Sequence, residues 1–209
     1  SRLKISNFIN AEKSEQIIFT RGATEGINLV ASCLSEYLLN NGDEIIISTL
    51  EHHSNIIPWQ ISAKKTGAKI VELKPDNEGN ISVESIRGLI TNKTKIIALP
   101  HVTNTLGSIL DIEEICLEAR KRGIVSLIDG CQAVPHISID IKNINPDFYV
   151  FSGHKLYGPS GIGVLYGKQE FLEKMVPYQT GGEMIDYVSI QESTFADLPN
   201  KFEAGTPNI

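Results

Sequence analysis

Lys95–Asp129 reads KIIALPHVTNTLGSILDIEEICLEARKRGIVSLID, and the fold turns on this stretch. Its two ends, Lys95–Leu99 and Ile124–Ile128, are short runs rich in β-branched residues and predict strands. Between them, Ile112–Lys121 spaces its apolar residues as an amphipathic helix does, and Arg122-Gly123 supplies the helix stop. The same alternation runs outward in both directions. Further strands are predicted at Gln16–Thr20, Glu44–Ser48, Lys69–Leu73, Asp147–Phe151 and Gly163–Tyr166. Further helices are predicted at Thr24–Leu39, Ile56–Lys65, Val83–Ile90 and Lys168–Met175, with Asn41-Gly42 and Lys65-Thr66-Gly67 as stops. A helical-looking polar segment, Leu3–Ser14, precedes them. This repetition argues for a three-layer α/β fold: an open, mostly parallel sheet with helices on both faces.

In such sheets the active residues gather at the carboxyl ends of the strands. The most telling end follows Asp147–Phe151: Ser152-Gly153-His154-Lys155-Leu156-Tyr157-Gly158-Pro159. Its lysine can take up a carbonyl while the small polar neighbours hold an anion; the plain alternative is a solvated lysine on a loop. Asp129 closes the strand Ile124–Ile128, with Gln132 three residues on. A lysine for an aldehyde and an acid for a pyridine nitrogen are the pair that pyridoxal phosphate chemistry needs. After the first strand, Thr20-Arg21-Gly22-Ala23-Thr24-Glu25-Gly26 opens a helix whose N-terminal N–H groups suit a phosphate. After the second come Glu51-His52-His53-Ser54-Asn55, and after Lys95–Leu99 comes Asn104. Each of these also reads as an ordinary cap or turn residue; several polar strand ends on one edge are harder to read that way.

Composition narrows the class. With 209 residues, 41% of them hydrophobic, the chain can bury one substantial core. The net charge of −6 is spread along the chain, without a basic run suited to nucleic acid or an anionic membrane. No apolar run approaches the ~20 residues of a membrane span. Cys33, Cys116 and Cys131 are too few and too scattered for a disulfide framework or a zinc site. A soluble cytoplasmic enzyme is expected. The chain starts without Met and without an apolar leader, and Gly205-Thr206-Pro207-Asn208-Ile209 closes no element. It reads as a piece, incomplete at both ends.

Six segments in order resemble one family. Arg21–Leu29, Glu51–Gln60, Asp129–Pro135, Ser152–Gly163, Gly181–Ile185 and Phe202–Asn208 are similar to motifs of the class V, fold-type I pyridoxal phosphate enzymes. They are most similar to the SufS/CsdA-like group of cysteine desulfurases. The resemblance implies that residues 1–209 are the cofactor-binding large domain, in part, with a C-terminal small domain absent. It implies that Lys155 carries the aldehyde and shuttles protons between the substrate Cα and the cofactor C4′. Asp129 would pair with the pyridinium nitrogen, and Gln132 with the phenolate oxygen, beside Asn104. His52 would stack on the ring and act in acid–base chemistry during sulfur release. Ala23, Thr24, Ser152 and His154 would hold the phosphate, and Thr206 would reach the phosphate of the neighbouring subunit of a homodimer.

The activity so implied removes sulfur from L-cysteine, leaving L-alanine, and passes it as a persulfide to an acceptor protein of iron–sulfur cluster assembly. The family's acceptor cysteine and its substrate-carboxylate arginine lie in the region this chain does not contain. Arg21, in the phosphate turn, is no substitute for that arginine. Cys131 stands where the family has a variable small residue, and reads as a buried filler; Cys33 and Cys116 read as helix packing residues. Selenocysteine lyase, kynureninase-like and epimerase-like enzymes share the lysine and aspartate. A non-catalytic scaffold and a metal site on His52, His53 and His101 are the alternatives from other classes.

Overall fold

The computed structural model describes residues 1–207, and its elements follow the β-branched and amphipathic runs. The first half comprises α1 (Arg2–Phe8), β1 (Ile17–Thr20), α2 (Ala23–Leu38), β2 (Glu44–Ser48), α3 (Ile57–Thr66), β3 (Lys69–Leu73), α4 (Val83–Leu89) and β4 (Thr94–Pro100). The second comprises α5 (Ile112–Lys121), β5 (Val125–Asp129), α6 (Ile141–Ile144), β6 (Phe148–Ser152), β7 (Gly163–Gly167), α7 (Gln169–Lys174), β8 (Ile185–Val188) and β9 (Ser193–Phe195). Asn208, the last residue of the Phe202–Asn208 motif, lies outside the described residues.

Seven strands form one sheet in the order β1-β7-β6-β5-β4-β2-β3. Six run the same way; β7 is antiparallel to both its neighbours, β1 and β6. Residues 153–162, which join β6 to β7, are too few for the helical crossover that a parallel return requires. The helices cover both faces: α2 packs on α3, and α5 packs on α4 and α6. The two groups sit on opposite faces because the crossovers leave β2 and β4 in opposite directions, through α3 to β3 and through α5 to β5.

Burial explains the strand sequences. The central strands β5 and β6 are buried at every residue, as a strand covered on both faces must be. The edge strand β3 exposes Lys69 and Glu72, and charges on an edge discourage pairing with another chain. Asp147 fastens the end of the sheet opposite the site. Its Oδ2 accepts from the Ser126 N–H at 2.8 Å, and its Oδ1 accepts from Lys168 Nζ at 2.6 Å.

One expectation needs correction. The helix expected over Leu3–Ser14 ends at Phe8, and Asn10 turns the chain in a left-handed conformation at φ 52°. The β8–β9 hairpin and the one-turn α6 were not foreseen. Every residue of β8 and β9 is exposed, so no alternation of buried and polar positions announces them. Among the described residues no helix is long and apolar enough to cross a membrane.

Candidate active site

β6, β5, β4 and β2 lie side by side, and their carboxyl ends share one edge of the sheet. β2 and β4 are adjacent strands whose connections depart to opposite sides, which opens a crevice beyond their ends. The segments leaving these four strands line a single cleft. His52 comes from β2, Asn104 from β4, Asp129 and Gln132 from β5, and Lys155 from β6; Glu51, Pro100, Val102 and Cys131 complete the wall. Five of the sequence-predicted site residues are thus brought together.

The turn after β5 is fixed by backbone and packing. Asp129 Oδ1 accepts from the Cys131 N–H at 2.9 Å, which leaves the other carboxylate oxygen for the cleft. The Asp129 carbonyl accepts from the His101 N–H at 2.9 Å. A Cβ on Gly130 would collide with the Tyr149 ring, so glycine is what lets the chain pass. Tyr149 OH in turn meets His101 Nδ1 at 2.9 Å. Burial pulls the His101 imidazole down to about 4, so it is neutral at neutral pH. Burial, reinforced by the Asp129 charge, pushes the Cys131 thiol up to about 12. A thiol so placed is protonated and a poor nucleophile, as the filler reading expects.

Lys155 sits half-buried in the 3-10 turn Gly153–Leu156 that follows β6, while His154 beside it is exposed. The Gly153 N–H bonds the Ile162 carbonyl and the Gly158 N–H bonds the Gly153 carbonyl, each at 2.9 Å, closing the loop around the lysine. His52 is exposed and caps a short turn; its Nδ1 accepts from the Ser54 N–H at 3.2 Å. The His52 and His53 rings are 5.9 Å apart and tilted. Among the described residues no group of three or more His, Cys, Asp or Glu side chains could hold a metal ion.

The helix turn reaches this edge by crossing β7. Gly163 pairs with Thr20 of β1 on one side and Ser152 of β6 on the other. Its missing side chain makes room for the Gly22 backbone, which a Cβ at that position would strike. The crossing lets the Ala23 N–H donate to Ser152 Oγ at 2.9 Å. Thr24, exposed, follows in the first turn of the 16-residue α2, where N–H groups lack helical partners. Cys131 Sγ, 3.9 Å from Ser152 Oγ, stands between this turn and the cleft.

Thr206 is apart from the rest. It is exposed on a second cleft of about 730 Å³, walled also by Arg21, Tyr178 and Glu203. Glu203 is held by a two-pronged pair with Arg2, at 2.7 and 2.8 Å, which ties the end of the described chain to its beginning.

Comparison with known proteins decides the family. The class-V aminotransferase family matches residues 1–209, the whole chain. The chain belongs to that family. Among class-V relatives, a probable cysteine desulfurase of Halalkalibacterium halodurans is 52% identical over 209 residues, all of this chain and 52% of the relative. The cysteine desulfurase CsdA of Escherichia coli superposes with a TM-score of 0.96 at 44% identity, over 99% of this chain and 52% of CsdA. A structure of C-DES with glycine covalently linked to its PLP cofactor gives 0.89 at 26% identity, over 99% and 55%. The mostly parallel α/β sheet read from the strand pattern, and the class-V fold that the motif resemblance implied, are those of these structures. The chain spans about half the length of the curated relatives it matches.

Glu51 and Tyr149 were not singled out as parts of the site, and His101 was named only for the alternative metal site. A carboxyl just past a strand reads as a solvated end, and Tyr149 reads as one more apolar strand residue.

Proposed function

We propose that this chain is the cofactor-binding half of a pyridoxal phosphate-dependent cysteine desulfurase. The observation that carries the reading is the pairing of Asp129 and Lys155 on one narrow cleft at the switch point of the sheet. The donor set fits the group: one amine, one carboxylate with a free oxygen, an imidazole and two amides line the cleft, and the α2 N-terminus with Ser152 stands beside it. Pyridoxal phosphate, when bound, supplies an aldehyde for an amino group and a ring that accepts electrons from the amino acid.

The chain's residues then divide the work. Lys155 takes up the aldehyde and moves a proton at the substrate Cα. Asp129 faces the ring nitrogen, where its charge keeps a proton in place. Gln132 and Asn104 donate to the phenolate edge. His52, exposed at the mouth, covers the ring and handles a proton at the departing sulfur. Ala23, Thr24, Ser152 and His154 gather at the phosphate, where N–H groups at a helix start favour negative charge. Thr206, on its separate cleft, serves the phosphate of a partner subunit in a homodimer.

The substrate is L-cysteine, the products L-alanine and a persulfide passed to an acceptor of iron–sulfur assembly, and the setting cytoplasmic. All three cysteines present are buried and free, so the acceptor thiol belongs to the rest of the protein, as does the arginine for the substrate carboxylate. We expect the whole protein to form alanine from cysteine and the 209-residue chain alone to form none above background. Alanine and sulfide, quantified side by side, test this. Turnover by the isolated chain would overturn the division of labour, and an inactive whole protein would overturn the desulfurase reading.

A further inference from the structure

Glu51 stands just past β2, and its side chain is turned inward: the residue is 7% exposed. Oε1 accepts from Asn55 Nδ2 at 2.9 Å, and Asn55 Oδ1 accepts from Trp59 Nε1 at 2.9 Å. Trp59 is fully buried, so this chain of bonds is anchored in the core. Oε2 is buried with no hydrogen-bond partner among the described residues. A carboxylate in that position would be a buried charge supported by the Asn55 amide and, more weakly, by the His52 backbone. Such a group keeps its proton unless a cation pairs with it.

The other groups on the cleft point the same way. Asp129 lines it from β5 and is a second carboxyl. Burial first, and the Asp129 charge second, hold the Glu51 carboxyl well above the usual carboxylate range. The other titratable groups on the wall are His52, Cys131 and Lys155. The Cys131 thiol is neutral, and neither His52 nor Lys155 bonds the free oxygen of Glu51. Two carboxyls lining one narrow cleft do not both ionise readily, and their surroundings decide which keeps the proton.

We propose that Glu51 is a positioning residue held as a neutral acid: of the two carboxyls on this cleft it keeps the proton, so that Asp129 alone presents a carboxylate to the cofactor ring. The benefit to the ring rests on the pyridoxal phosphate reading; which carboxyl keeps the proton does not depend on what binds. A neutral Glu51 leaves the ring nitrogen with a single charge to answer, and its bond to Asn55 holds the segment that carries His52.

The test uses the whole protein freed of cofactor. Carboxyl-carbon NMR on glutamate-labelled protein, with Glu51→Gln to identify the signal, follows Glu51 through its titration. The substitution keeps an oxygen that accepts from Asn55 Nδ2, so the fold is retained. Glu51 is expected to remain protonated at neutral pH. In Asp129→Asn, which keeps the acceptor for the Cys131 N–H, its midpoint is expected to fall by about one pH unit as the neighbouring charge is removed. A Glu51 whose proton is held by burial alone, without coupling to Asp129, would not respond to that change. Ionisation of Glu51 in the ordinary carboxylate range, or a midpoint indifferent to Asp129→Asn, would overturn the proposal. A failure of the pyridoxal phosphate reading shows itself differently, as a protein that takes up no cofactor, and leaves this titration free to decide.

Discussion

Replacing Lys155 with alanine is expected to lower cysteine-dependent alanine formation by the whole protein, on the function proposed here, about 10⁴-fold or more. In the proposed reading two functions would be lost together: the amine that takes up the aldehyde, and the base that moves a proton at the substrate Cα. Proton transfer by a placed side chain is worth about 10²–10⁴-fold by itself, and the covalent role adds to it. The rest of the cleft is left standing, because the loop around Lys155 is closed by backbone bonds from Gly153 and Gly158. The variant is therefore expected to fold and to dissolve as the parent does. Alanine production, measured by amino-acid analysis beside circular dichroism, checks both halves. A folded variant within about tenfold of the parent would remove Lys155 from the chemistry.

The second large effect is at Asp129. Asp129→Asn keeps the shape and the oxygen that accepts from the Cys131 N–H, so the turn after β5 is preserved while the charge is lost. Removing one electrostatic contact of this kind at a reacting centre costs about 10²–10³-fold in turnover. The loss is expected in kcat more than in KM, since a carboxylate at Asp129 would act chiefly where charge develops in the transition state. Steady-state kinetics on the whole protein read it directly. An asparagine variant within a few fold of the parent would mean that a hydrogen bond suffices where a charge is proposed here.

Much of this arrangement was legible in the chain because two simple periodicities carry it. The β-branched runs at Lys95–Leu99 and Ile124–Ile128 became β4 and β5, and the stop at Arg122-Gly123 fell where α5 ends. Once the strands were placed, Asp129 and Lys155 followed, since parallel strands bring their carboxyl ends to one edge. The direction of β7 was not legible: it depends on the length of a loop whose residues form no regular element apart from one short turn. The exposed hairpin β8–β9 gave no alternation to read. Glu51 was hidden for a different reason. Its carboxyl is buried over Asn55, whose own amide meets the buried Trp59, and no spacing in the sequence announces an unpaired oxygen. Gly163 was visible as the start of a strand and Gly130 only as part of the Asp129–Pro135 segment; their true constraint is the near approach of Gly22 and of Tyr149.

The central claim is that the Asp129–Lys155 cleft takes pyridoxal phosphate on Lys155. The measurement that meets it most directly is the visible absorption spectrum of the purified protein after addition of pyridoxal phosphate and exhaustive dialysis, beside a Lys155→Ala control. A band that survives dialysis in the parent and is absent from the control is the expected result. A parent that keeps no band, or a control that keeps the same one, would contradict the account.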